Sequence, residues 1–105
     1  MPQFGVYRNA NPATRTAYPF LLDVQSDLIT DLGTRVVAPL SLASSMKGKV
    51  IRTLMPIFAI EGKQYAMLTP QLAGISVKQL GTKVTELSER RGEILAALDL
   101  LITGI

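Results

Sequence analysis

The apolar residues change their spacing once along this chain, and no fold built from a single kind of element accommodates both parts. Through the first two-thirds they come in short runs and alternations broken by turn residues. From Leu87 onward Ile94, Leu95, Leu98, Leu101, Ile102 and Ile105 recur at helical spacing. At ~100° per residue these fall in one stripe. The pattern predicts a mainly β body with one C-terminal helix. Ser88 is the expected N-cap, and Glu89 suits the positive end of the helix dipole. Gly104 fits the position just past the last turn, where positive φ is easiest for glycine. On this projection Leu98, Leu101 and Ile102 belong to the core. Ala96, Leu100 and Thr103 lie on the outer side, near Glu93 and Asp99, as a candidate contact strip.

The β part divides at its turn signals. Gln3 to Tyr7 alternates Phe4 and Val6 with Gln3, Gly5 and Tyr7, the period of a half-buried strand. Arg8 to Pro19 is turn-rich, with Asn11-Pro12 inside it, and reads as a surface loop. Phe20 to Ile29 is the next strand; Asp31 to Arg35 turns through Gly33, and Val36 to Leu40 returns. Pro39 has no amide to give a ladder, which predicts a strand end, a bulge or an edge. The clearest hairpin spans Ile57 to Thr69, around a three-residue turn of Glu61, Gly62 and Lys63. Ile75 to Gly81 is a further short strand.

Composition narrows the chemistry. At 105 residues, 48% apolar and 18% charged, residues 1–105 read as one globular domain. There is no cysteine and no histidine, hence no thiolate nucleophile, disulfide, imidazole base or common nitrogen ligand for zinc. Binding is favoured over catalysis, and no cofactor or metal is implied. The net charge of +3 is modest for nucleic-acid binding, and the basic residues are scattered. Only Met46 to Arg52 is dense in them. No apolar run approaches the ~20 residues that span a bilayer. With no signal peptide in view, cytoplasmic residence is the expectation.

Four stretches carry a family likeness: QFGVY near the start, DVQSD at Asp23 to Asp27, RVVAPL at Arg35 to Leu40, and the ending ELSERRGEILAALDLLITGI. Together, in this order and over essentially the whole chain, they resemble the CcdB family of gyrase-poisoning toxins. The resemblance implies an SH3-like antiparallel barrel, shared with the Kid and MazF toxins, closed by a C-terminal helix. It also implies a homodimer with the C-terminal helices close to the two-fold axis. Its implied partners are the A subunit of DNA gyrase, trapped with cleaved DNA, and a CcdA-like antitoxin with a disordered acidic segment. Toxin and antitoxin together would repress their operon, so DNA is met only indirectly.

Carried over residue by residue, the gyrase-facing positions are Ser26, Leu28, Ile29, Asp99, Thr103, Gly104 and Ile105. Asp99 stands where the family has Asn, and Thr103 where its best-known members have Trp. For the acidic antitoxin segment, the candidate contacts are Arg8 and Arg15 in the first loop and Lys47, Lys49 and Arg52 in the basic stretch.

Two other readings compete. A Kid- or MazF-like ribonuclease would need an acid, a base and a cation for phosphate, which Asp23, Asp27, Arg35 and Thr69 could supply by type. Against it, Asp23 and Asp27 read more simply as carboxylates tied to turns or to Arg35. The second rival is a CcdB-like dimer that binds antitoxin but has lost gyrase poisoning, a reading that rests on Thr103.

Overall fold

The computed structural model describes residues 3–29, 32–46 and 52–104. Among these residues seven strands run β1 (Gly5–Asn9), β2 (Phe20–Asp23), β3 (Thr34–Leu42), β4 (Ile57–Ile60), β5 (Lys63–Met67), β6 (Ala73–Ser76) and β7 (Leu80–Glu86). One helix follows, α1 (Arg91–Thr103). The sheet order is β4-β5-β3-β2-β1-β7, with β6 beside the first half of β3. Every pairing is antiparallel. This is the expected SH3-like type: a curled half-barrel with a C-terminal helix.

Chain reach forces the curl. β6 lies outside β3 and β7 outside β1, four strand spacings apart, or ~19 Å in a flat sheet. The link from Ser76 to Leu80 is one short 3-10 turn, and four residues extend at most ~14 Å. The sheet must therefore roll up until the outer strands approach each other. Rolling buries β1 to β3 on both faces. Val6, Leu22, Ala38 and Leu40 face the main core with Phe58 and Met67. Tyr7, Leu21 and Val37 face the other way and are covered by Leu80 and Ile75. Tyr7 is thus buried rather than on the open side of a half-buried strand, and burial pushes its phenol pKa up.

Several elements differ from the sequence expectation in instructive ways. Phe4 is not part of β1; it sits at φ 69° as a corner, its amide on the Asp23 carbonyl and its carbonyl taking the Leu87 amide. β2 ends at Asp23 because that carboxylate accepts the Gln25 amide and turns the chain. The β4–β5 turn has two residues, not three. Glu61 (φ 51°) and Gly62 (φ 82°) both take positive φ, and Lys63 already pairs with Ile60. The predicted strand over Ile75 to Gly81 is split by the turn Val77–Gln79 into the end of β6 and the start of β7.

Pro39 is in the middle of β3, yet it breaks no ladder. On one side β3 pairs with β6 up to Val37 and with β5 from Leu40. The Pro39 carbonyl points to that side, where it accepts the Leu68 amide. Its missing N–H therefore faces the changeover between two neighbours.

Ser88 does not cap α1. Residues Ser88–Arg90 form a 3-10 turn, and the helix starts from Arg90 without a side-chain cap bond. Arg90 anchors that end instead. Its guanidinium lies 4.7 Å from the Phe58 ring centroid, donates to the Ile57 carbonyl and forks onto Glu93. The fork holds the Glu93 carboxyl below the ordinary carboxylate range. At the far end Gly104 takes φ 73° and donates its amide to the Leu100 carbonyl, as expected. Among the described residues no helix is long and apolar enough to cross a membrane.

Two ion pairs give a contrast that unfolding can measure. Arg35→Ala would strand the buried Asp23 carboxylate and should cost about 3–5 kcal/mol in a urea titration. Arg8→Ala, which opens the exposed pair with Glu61, should cost under ~1 kcal/mol.

Candidate functional site

Between β2 and β3 the chain leaves the sheet; the Val24 amide still reaches the Val36 carbonyl at 3.0 Å, and residues 25–29 are held mainly by side chains. Arg35 is the anchor. Its Nε and Nη2 close on the Asp23 carboxylate at 2.8 and 3.1 Å; Nη2 also reaches the Gln25 carbonyl at 3.2 Å, and Nη1 the Ile29 carbonyl at 3.3 Å. Gln25 spans the loop, its Nε2 donating to the Ile29 carbonyl at 2.6 Å and its Oε1 accepting the Val36 amide at 3.0 Å. Asp27 accepts the Gln3 amide at 2.7 Å and lies 4.0 Å from Arg35.

What this scaffold presents is apolar. Leu28 is 95% exposed and Ile29 49%, and Leu32 on the returning leg is 62% exposed. Ser26 is half-buried and serves the turn: its hydroxyl accepts the Leu28 amide and its carbonyl the Ile29 amide, both at 3.1 Å. Fully exposed leucine on a fixed backbone suits contact with a partner better than it suits the free protein.

The end of α1 is a second apolar surface. Ile94 and Ala97 are buried, and Leu95 and Leu98 pack partly on the main core. Leu101 and Ile102 are exposed, Ile102 by 74%, which corrects their assignment to the core. Leu101 lies seven residues beyond Ile94 and so on the same face, but the last helical turn has too little protein beneath it. Leu100 is half-buried, whereas Ala96, Asp99 and Thr103 are exposed. The Thr103 hydroxyl donates back to the Asp99 carbonyl at 2.7 Å, which commits that donor within the helix. Ile105 lies outside the described residues. Among those that are described, no hydrogen bond or ion pair links the 24–29 loop to the helix end.

A groove of about 520 Å³ was not foreseen from the sequence. The first loop supplies Thr16 to Pro19, the end of β3 and its following turn Leu42 and Met46, and other walls come from Met55, Leu68 and Pro70. Arg15 is exposed on the segment entering it. Arg8 is occupied, paired with Glu61 at 2.7 Å and lying over the Phe20 ring. Arg52 lines a separate small cavity with Pro56, Glu93 and Ala96. Lys47 and Lys49 lie outside the described residues.

The residues nominated for RNA cleavage are not arranged for it. Asp23 and Arg35 are 0% and 2% exposed and engaged with each other, and the buried Thr69 hydroxyl donates to the Leu54 carbonyl. All three phenylalanines and two of the three tyrosines are buried, leaving Tyr18 as the accessible ring for stacking a base.

A protein-family model described as CcdB protein matches residues 3–104. The match takes in both apolar surfaces and the groove. The exposure pattern makes a stability prediction: Leu28→Ser should change unfolding free energy by no more than ~0.5 kcal/mol. Ile94→Ala, in the core beneath α1, should cost about 2–5 kcal/mol in the same urea titration.

Proposed function

This chain belongs to the CcdB family of gyrase-targeting toxins from toxin–antitoxin systems, and from that premise we propose that it binds the A subunit of DNA gyrase and traps the enzyme on cleaved DNA. The contacts are Ser26, Leu28 and Ile29 on the loop, with Asp99, Thr103, Gly104 and Ile105 at the end of α1. The observation that carries this reading is Leu28, almost wholly exposed on a loop that buried side chains hold still. The action is binding, not catalysis: the toxin stabilises one state of its target. Exposed Leu101 and Ile102 support a homodimer whose helix ends approach the two-fold axis, presenting each contact twice.

The partner in the cytoplasm is a CcdA-like antitoxin, with which the toxin co-represses its operon. Its disordered acidic segment lays apolar side chains in the groove beside Tyr18, Met46 and Met55; its carboxylates meet Arg15, Lys47, Lys49 and Arg52 and compete with Glu61 for Arg8.

Expression should stop growth of an ordinary host and spare one whose gyrase A subunit resists this class of toxin; equal arrest in both would sink the gyrase reading. Thr103→Trp should tighten binding to a gyrase A fragment by roughly tenfold or more, because a central aromatic is worth about 2 kcal/mol at such interfaces. A chain lacking Gly104 and Ile105 should fold and bind that fragment poorly.

Replacing Arg15, Lys47, Lys49 and Arg52 with alanine should weaken antitoxin binding and flatten its dependence on salt. Leu28→Ser should leave antitoxin binding unchanged.

A further inference from the structure

We infer that Gln25 and Arg35 are positioning residues for target recognition, acting through one atom, the carbonyl oxygen of Ile29. The inference rests on Leu28 and Ile29 being target contacts. Neither Gln25 nor Arg35 can touch a partner, for both are buried. Yet both donate to the same carbonyl, at 2.6 Å from Gln25 Nε2 and 3.3 Å from Arg35 Nη1. That carbonyl belongs to one of the two proposed contact residues, whose side chain is exposed.

Gln25 works as a strut with defined polarity. One end of its amide accepts from the Val36 amide on β3, and the other donates to Ile29. Turning the amide over would set oxygen against oxygen at Ile29 and N–H against N–H at Val36, so only one orientation satisfies both bonds. Its own backbone is fixed too, the amide on the Asp23 carboxylate and the carbonyl on Arg35 Nη2. The loop from Ser26 to Ile29 thereby hangs from the sheet at its foot and at its tip. Ser26 fixes the turn between, through the amides of Leu28 and Ile29. A loop ordered before contact loses less freedom on binding than one ordered by it, which appears as tighter binding without any added contact.

Arg35 is a poor probe of this idea, since its removal orphans Asp23 and threatens the fold. Gln25 is the better one. Gln25→Met keeps length and removes both bonds, while Gln25→Glu keeps the acceptor for Val36 and sets an oxygen against the Ile29 carbonyl. Each variant should stay folded, bind antitoxin as the parent does, and bind a gyrase A fragment at least tenfold more weakly. In a Leu28→Ala, Ile29→Ala background, Gln25→Met should weaken binding no further, because what it positions is gone.

Unchanged gyrase affinity in both Gln25 variants, beside weakened binding in the double alanine chain, would overturn positioning and leave the contact assignment intact. An equal loss from Gln25→Met in both backgrounds would also overturn it, marking a global effect. If the double alanine chain binds like the parent, the contact assignment and the inference both fall. The unmutated protein offers a test that needs no variant to fold: its Leu28 and Ile29 amides should exchange with solvent at least tenfold slower than unstructured ones. Exchange at the unprotected rate would show a loop that is not held, and would end the proposal.

Discussion

The Arg35 guanidinium is 2% exposed and its fork closes on a carboxylate, Asp23, that water does not reach. Burying two charges costs several kcal/mol per ion, and a well-packed apolar pair is often no less stable. The arrangement does more than hold β2 to β3. An arginine carries five donors in a rigid plane, so after satisfying Asp23 it still has N–H groups for the carbonyls of Gln25 and Ile29. A leucine pair in the same place would join the strands but would leave the loop hanging chiefly from the Gln25 side chain, without the Arg35 bonds to the Gln25 and Ile29 carbonyls. The ion pair thus links the interior of the sheet to the surface that a partner meets.

The curl of the sheet makes that interior available. With only three residues between β6 and β7, the sheet rolls, and the Tyr7, Leu21 and Val37 side is covered as well as the side under α1. Phe4 adds a third point of closure, joining Asp23 on one side and Leu87 on the other through its main chain. A non-glycine residue at φ 69° is strained by about 1–2 kcal/mol, and the two hydrogen bonds with a buried ring hold it there.

The parts of this fold legible in the sequence are those set by neighbours along the chain. The β4–β5 hairpin, the existence of the last helix and its glycine stop all follow from local spacing and local φ preference. The hairpin's turn is one residue shorter than its composition suggests, because Glu61, not only Gly62, takes positive φ. The helix stripe runs on past the core at Leu101 and Ile102, because periodicity tells which face a residue is on and not whether protein lies under it. The groove draws its walls from four separate segments and leaves no periodic trace. The loop is visible in the sequence through the family resemblance, but the bonds that shape it from a distance, Gln3 to Asp27 and Arg35 to Asp23, have no signature in local pattern.

The Ile29 carbonyl has a consequence for how such a protein changes over generations. The loop is restrained chiefly through main-chain atoms and residues beneath it, while the exposed side chains of Leu28, Ile29 and Leu32 contribute little to holding it. Those three positions can be rewritten as a target drifts, without a matching repair inside the fold. The inward-facing residues Asp23, Gln25 and Arg35 have less latitude: a change in Asp23 or Arg35 leaves the other with unmet polar groups, and a change in Gln25 leaves the Val36 amide without its acceptor. Divergence among relatives should therefore divide by depth rather than by position along the chain, with a variable tip standing on an invariant root.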